Sequence, residues 1–235
     1  MSGVHVATRS QGEAFSAAAS RVFRSYDEAL RDSDAELVYV STRNHEHFEW
    51  AMAALRSGRH VVVDKPATLS LAQSETLAET AARGQRVLAE ATVYAWHPQF
   101  AHVRSLVATR GPITRANVLF AIPWIARPNY RYEVASGGGM LWDLGPYAVS
   151  CGRVLFGEPP ETVVATKVHA DGEDVDTSFS VLMTYSNGRA LAGHVGMPFA
   201  YSNRLDLVGP SVSATLERAF TTAPDAPARV IEWAG

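Results

Sequence analysis

The sequence predicts an α/β protein in two parts: a parallel sheet with helices over residues 1–95, then an α+β domain over residues 96–235 whose sheet is open and mostly antiparallel. Three observations carry this expectation. Up to about residue 95, short apolar runs alternate with amphipathic stretches of helical length, the pattern of βαβ units. Beyond His97-Pro98 the pattern turns to strand after strand, with few helices between. Asn187-Gly188, between two of those strands, is a strong hairpin-turn signal, which makes neighbouring strands antiparallel.

Taken in order, Val4 to Thr8 reads as a strand and Gln11 to Ser20 as an Ala-rich helix. Ser25 and Glu28 form the two ends of a capping box over a short helical turn. Leu37 to Ser41 is a buried strand, followed by a helix through Glu49–Leu55 that Gly58 ends. His60–Val63 is the next strand, Leu69–Ala82 a helix stopped by Gly84, and Arg86–Glu90 the closing strand. The domain boundary falls between Val93 and Pro98. The second part opens with a helix from Gln99 to Thr109 and a strand from Thr114 to Ile122. A Pro- and Tyr-rich segment leads to Gly137-Gly138-Gly139 and a helix running to about Phe156. Strands are then expected at 162–169, 177–185, 190–196, 204–208 and 213–216.

Composition excludes several classes. The 235 residues are 47% hydrophobic, enough for a sizeable core. A net charge of −3 with both signs dispersed argues against a nucleic-acid partner, which needs a basic face. Cys151 is the only cysteine, so a disulfide framework is impossible and a reducing, cytoplasmic setting is expected. Met1 to His5 does not read as a signal peptide, and no apolar run reaches the roughly 18 residues of a membrane span.

Several residues stand out for chemistry. Lys65, in Asp64-Lys65-Pro66, lies at the carboxyl end of an expected parallel strand, where ligands of open α/β sheets bind. It reads either as a ligand-directed lysine or as a surface lysine of a βα loop. Asp143 and Tyr147 are four residues apart on one helix face, as a site pair or as an ordinary exposed pair. Gly145 weakens that helix and marks a close approach, a helix interruption or plain helix packing. His45 and His47 lack a third ligand in pattern, so no metal is expected. Asn44 reads as an N-cap and Cys151 as core. Trp124, Tyr130 and Tyr132 either line a pocket or cover the sheet.

Four motifs then fall in one order. Ser41-Thr42-Arg43-Asn44-His45-Glu46-His47 resembles a Thr-Pro-Asn-x-x-His segment, and Asp64-Lys65-Pro66 a Glu-Lys-Pro motif. Tyr94-Ala95-Trp96-His97-Pro98-Gln99 resembles a Tyr-Arg-Phe-His-Pro-Gln junction. The triple glycine followed by Asp143-Leu144-Gly145-Pro146-Tyr147 resembles a second-domain signature. Together they resemble the Gfo/Idh/MocA (glucose-fructose oxidoreductase-like) family over nearly the whole chain. Tyr201 to Gly209 and Arg218 to Thr221 are further similar to its NDP-hexose 3-ketoreductase branch.

The resemblance implies an NAD(P)-dependent oxidoreductase that reduces a keto-sugar, free or nucleotide-linked. Lys65 would polarise the reacting carbonyl, Tyr147 would be the general acid, and Asp143 would orient the sugar or the tyrosine. Arg9, Ser41, Thr42, Asn44, His47, Asp64, Lys65 and Pro66 would bind the cofactor. Tyr94 and His97 would join Lys65, Asp143 and Tyr147 around the substrate, the two domains meeting at one cleft. A homo-oligomer through the second sheet is implied as well. Asp64 for Glu, Arg43 for Pro and Ala95 for Arg depart from the family pattern.

The family opens with a strand and Gly-x-Gly-x-x-Gly, which cradles pyrophosphate at a helix N-terminus. Gly3, Gly12 and Gly58 do not form that spacing, and Val4 to Thr8 matches the family's second strand. An incomplete Rossmann-type sheet is therefore expected, with the chain short at its start and at its end. A non-catalytic remnant or binding protein of the same fold is the alternative to an active enzyme. After the first strand stands Thr8-Arg9-Ser10, with no acid for a ribose 2′-hydroxyl. Arg9 as partner of a 2′-phosphate favours NADP over NAD, and a solvated Arg9 is the competing reading.

Overall fold

The computed structural model describes residues 5–8, 19–222 and 228–233. The chain divides into two compact units, Met1–Ala91 and Thr92–Gly235.

The first unit runs β1 (His5–Ala7), β2 (Arg21–Phe23), α1 (Tyr26–Asp32), β3 (Leu37–Val40), α2 (His47–Arg56), β4 (His60–Val63), α3 (Leu71–Arg83) and β5 (Leu88–Glu90). Every strand pairing is parallel, in two groups, β1-β2 and β3-β4-β5. These match the two wings of a doubly wound sheet. Ser25 caps α1 as expected, its Oγ accepting the Glu28 N–H at 3.1 Å. The core is built by one face of α2 (Ala51, Met52, Ala54, Leu55) on Val40, Val61 and Val63, with Leu77 and Ala81 of α3 closing it. Alternate residues of β3, Leu37 and Tyr39, face outward and are half exposed.

Two features differ from the expectation here. β2 was not foreseen: it has three residues, and only Phe23 is buried, too short a run for period-two alternation to register. Asn44 is not an N-cap. It begins a 3₁₀ turn, Asn44–Glu46, and it is buried. Gly84 ends α3 as expected, as its C-cap with φ −79°, and the left-handed residue that follows is Gln85. Of the helix expected at 11–20, residues 11–18 lie outside the described residues, as does Arg9.

The second unit opens with a 3₁₀ turn, Val93–Trp96. It continues through α4 (Pro98–Arg110), β6 (Arg115–Ala121), α5 (Met140–Asp143), α6 (Gly145–Phe156), β7 (Thr162–Val168), β8 (Ser178–Tyr185), β9 (Arg189–Gly196), β10 (Ser202–Val208), β11 (Ser213–Leu216) and β12 (Val230–Trp233). The strands form one sheet in the order β12-β11-β10-β6-β9-β8-β7. All neighbours are antiparallel except β6 and β9. Asn187 and Gly188, both with positive φ, turn β8 into β9. One sheet face presents Val118, Phe120, Val181, Met183, Leu205 and Leu207 to α4 and α6. Cys151 is wholly buried there, and burial pushes its thiol up.

Residues 140–156 form two helices rather than one. Pro146 has no N–H to donate to the Trp142 carbonyl, so the helix breaks at Leu144 and restarts. β12, at the sheet edge, was also not foreseen. Among the described residues no helix is long and apolar enough to cross a membrane.

Gly152 tests the packing of α6 on the sheet. A Cβ there would overlap the hydroxyl of Tyr185, a ring that is 1% exposed and has nowhere to swing. Helix propensity alone would make Gly152→Ala stabilising by about 1 kcal/mol. Overpacking costs about 1–3 kcal/mol, so we expect a net loss of stability, read as a lower urea midpoint. A midpoint at or above the parental value would contradict this packing.

Candidate active site

In the first unit the candidate residues follow two parallel strands. β3 and β4 end level, Val40 beside Val63, which brings the loops 41–44 and 64–66 side by side. The Asp64 carboxylate fastens them: it accepts from the Ser41 hydroxyl at 2.6 Å and from the Tyr39 phenol at 2.5 Å. The phenol is pushed up to about 12, first by that hydrogen bond, then by burial and the carboxylate's charge. His47 makes the second tie. It is 1% exposed, with Nδ1 at 2.8 Å from the Pro66 carbonyl and Nε2 at 3.0 Å from the Thr42 carbonyl. Both ring nitrogens of His47 are thus turned to the backbone, so it holds the two loops rather than facing a ligand. Lys65 sits between the two ties.

The residues present fit the nicotinamide-bearing half of a dinucleotide. They stand at the carboxyl ends of parallel strands. Thr42 Oγ1 is moreover buried with no hydrogen-bond partner among the described residues, a polar atom left over for a further group. Among the described residues no cluster of three or more His, Cys, Asp or Glu side chains could hold a metal ion.

In the second unit the triple glycine builds the site. Gly137, with φ 72°, ends a 3₁₀ turn in the left-handed region. A Cβ on Gly138 would stand 2.5 Å from the Arg131 carbonyl oxygen, which instead accepts the Gly139 N–H at 2.9 Å. Gly139 has φ 102°, and a Cβ there would meet Asp176 Oδ1 at 2.5 Å. The buried Asp176 accepts the Leu141 N–H through Oδ2 at 2.7 Å and the Met140 N–H through its carbonyl at 3.0 Å. It thereby serves two of the donors that a helix start leaves open.

Tyr147 and Asp143 share this neighbourhood. The Tyr147 ring lies against Tyr94, Phe120 and Phe220, with centroids 6.0, 5.2 and 5.5 Å away. Asp143 is 7% exposed and accepts from Arg131 Nε at 2.8 Å. The guanidinium also lies over the Tyr130 ring, 4.9 Å from its centroid. Burial works against the Arg131 charge, but Asp143 foremost, then the phenols of Tyr130 and Tyr147, hold it above the ordinary arginine range.

Two expected substrate residues are placed otherwise. Tyr94 is 3% exposed and its hydroxyl is 2.8 Å from Ser150 Oγ, so it backs the Tyr147 ring. His97 caps α4, its Nδ1 accepting the Gln99 N–H at 3.3 Å. Tyr132 donates to the Ile125 carbonyl and packs on the core, covering the sheet, while Trp124 is half exposed. Arg131 and Asp176 were missed by the sequence reading. The arginine sits in an irregular segment, and its partner is twelve residues away.

Comparison with known proteins agrees with this architecture. The family model described as "Oxidoreductase family, NAD-binding Rossmann fold" matches residues 3–92, and that of the "GFO/IDH/MocA C-terminal domain" matches residues 100–215. The chain belongs to the GFO/IDH/MocA oxidoreductase family. An uncharacterized oxidoreductase of Rhizobium meliloti is 29% identical over 213 residues, 90% of this chain and 64% of the relative. The dTDP-3,4-didehydro-2,6-dideoxy-α-D-glucose 3-reductase of Actinomadura kijaniata is 31% identical over 198 residues, 83% of this chain and 60% of the relative. The chain thus spans less than two thirds of the length of these relatives. The 3-ketoreductase KijD10 of A. kijaniata, solved with NADP and TDP-benzene, superposes with a TM-score of 0.87 at 25% identity, covering 98% of this chain and 75% of that one.

The Tyr39–Asp64 tie has a measurable signature. A phenol raised in the fold contributes stability below its unfolded value of about 10. That contribution is lost as pH climbs through about 12. Asp64→Ala removes the acceptor and the charge. The Tyr39 midpoint, isolated by difference from Tyr39→Phe in an ultraviolet titration, is expected to fall toward about 10. An unmoved midpoint would show that the loops are not fastened this way.

Proposed function

We propose that the protein is an NADP-dependent oxidoreductase that reduces the ketone of a nucleotide-linked sugar. The observation that carries the reading is the setting of Tyr147: a phenol seated on an aromatic floor, one helical turn from the partly buried Arg131–Asp143 pair. A proton donor beside a sugar carbonyl needs such a place, where the ring is held by its neighbours. The relative crystallised with NADP and TDP-benzene, and the dTDP-keto-sugar 3-reductases, support both the cofactor and the substrate class. Arg9 supports NADP over NAD from sequence.

When bound, the dihydronicotinamide supplies the hydride. The chain's own residues do the rest. The family resemblance assigns Lys65 the role of polarising the reacting carbonyl. Tyr147 Oη passes its proton to that oxygen as the carbon is reduced, so an alcohol forms without a free alkoxide. Thr42, Asp64 and Pro66 shape the cofactor side, with His47 and Ser41 holding them in register. The sheet face turned away from the helices exposes Leu119, Leu182 and Trp233. These exposed apolar side chains, set among polar ones such as Arg204 and Asp206, support a homo-oligomer formed through the sheet. The single, buried Cys151 suits a cytoplasmic setting.

Tyr147→Phe is expected to lower turnover of a dTDP-linked keto-sugar by about 10²–10⁴-fold while leaving NADPH affinity within error. Lys65→Ala should be at least as damaging. Steady-state rates and cofactor titrations of the three proteins measure both. Parental turnover in Tyr147→Phe would remove the phenol as the acid.

A further inference from the structure

We propose that the cavity at the shared end of β10, β11 and β12 is a diphosphate subsite: it takes the phosphates of the nucleoside diphosphate that carries the sugar, with Arg218 as the principal contact. The proposal rests on the nucleotide-linked substrate read above, and its test separates the two.

The sheet brings this cavity and the Tyr147 floor to one end. β10 begins at Ser202, opposite Ala121 where β6 stops. Beside them β11 stops at Leu216, opposite Val230 where β12 begins. Tyr201, Glu217, Arg218 and Arg229, just outside those strand ends, join Asn203 and Arg204 of β10 around a cavity of about 320 Å³. Small-molecule sites span about 300–1,000 Å³, so the space suits one part of a ligand rather than a whole nucleotide-sugar. Two stretches of sequence singled out above, Tyr201 to Gly209 and Arg218 to Thr221, meet in it.

The charges around the cavity do not cancel. Arg204 is taken up by Asp206, its Nε donating to the two carboxylate oxygens at 2.8 and 3.0 Å. Arg229 and Glu217 face each other loosely, at 3.8 Å. Among the described residues no ion pair engages the Arg218 guanidinium, which lies over the Tyr201 ring, 5.3 Å from its centroid. Three guanidinium groups thus stand against two carboxylates. A guanidinium presents a planar fork that fits phosphate oxygens two at a time, and stacking on a ring holds that fork in one plane.

The wall that carries Arg218 is fixed from both sides. Asn203 is 2% exposed; its Oδ1 accepts the Phe220 N–H at 2.9 Å, and its Nδ2 donates to Thr221 Oγ1 at 2.6 Å. From α4, Gln99 Nε2 donates to the carbonyls of Arg218 and Ala219 at 3.0 and 2.8 Å. Phe220, in the same segment, packs its ring 5.5 Å from that of Tyr147. Two residues of chain, at most about 7 Å, therefore separate Arg218 from the floor under the phenol. A sugar seated at Tyr147 has its diphosphate within reach of this arginine.

A dinucleotide also carries a diphosphate, so the test titrates the protein with dTDP and, separately, with NADPH by calorimetry. Arg218→Ala is expected to weaken dTDP binding by about 10–100-fold, the loss of charge-assisted hydrogen bonds, and to leave the response to NADPH as in the parent. Arg218→Lys, which keeps the charge without the fork, should fall between. Arg229→Ala leaves Glu217 unopposed beside the phosphates and should weaken dTDP as well. Unchanged dTDP affinity in Arg218→Ala overturns the subsite and leaves the nucleotide-linked reading standing. A loss of NADPH rather than dTDP affinity assigns the site to the cofactor and overturns the proposal too. A parental protein that does not bind dTDP overturns the nucleotide-linked reading and the subsite with it. If Arg218→Ala does not fold, Arg218→Lys and Arg229→Ala decide: parental dTDP affinity in both overturns the proposal.

Discussion

The second unit depends on one close approach, the backbone of residues 137–139 closing on Arg131 from one side and on Asp176 from the other. No residue with a Cβ fits at Gly138, because the space is already filled by the carbonyls of Arg131 and Glu133. The gain from that contact is order at three places. The irregular segment before the glycines is pinned, α5 starts under the Asp176 carboxylate, and the Arg131 side chain is delivered to Asp143. Breaking a buried ion pair by removing one partner costs about 3–5 kcal/mol. The pair here is not wholly buried, so the local effect is smaller, but it falls at the junction of α5 and α6, four residues before Tyr147.

The first unit solves a different problem by related means. Its candidate residues lie on two loops that follow separate strands, and loops are held only by what is bonded across them. Asp64 and His47 supply those bonds, one from the outer side and one from the core. Asp64 departs from the glutamate of the family pattern. Its shorter arm nonetheless reaches Ser41 and Tyr39, because β3 and β4 end level with each other.

Much of this was legible in the sequence where a local rule decides. Asn187-Gly188 takes the positive φ values a tight hairpin needs, and Ser25 caps the Glu28 N–H, while the Glu28 carboxylate accepts from the Arg24 N–H. The motifs 41–47, 64–66, 94–99 and 137–147 place both units in one family from sequence alone. What escaped was non-local. Arg131 reads as one more charged residue until the fold brings Asp143 to it, and Asp176 reads as a loop acid until it meets a helix start. His47 and Tyr94 were read as ligand-facing because their motifs are, whereas burial turns both inward. The break at Leu144 was written in Pro146, whose missing N–H weighs more than the apolar pattern that runs on through it.

The central claim is that a carbonyl carbon of a nucleotide-linked sugar receives hydride while this chain holds both reactants. The most direct measurement follows the hydrogen itself. The protein is incubated with a dTDP-linked keto-sugar and NADPH deuterated at the nicotinamide ring carbon that gives up hydride, and the sugar product is analysed by mass spectrometry and NMR. Deuterium on the newly formed carbinol carbon, and nowhere else, is the result predicted here. No reduced sugar, or a reduced sugar without deuterium at that carbon, would contradict the account.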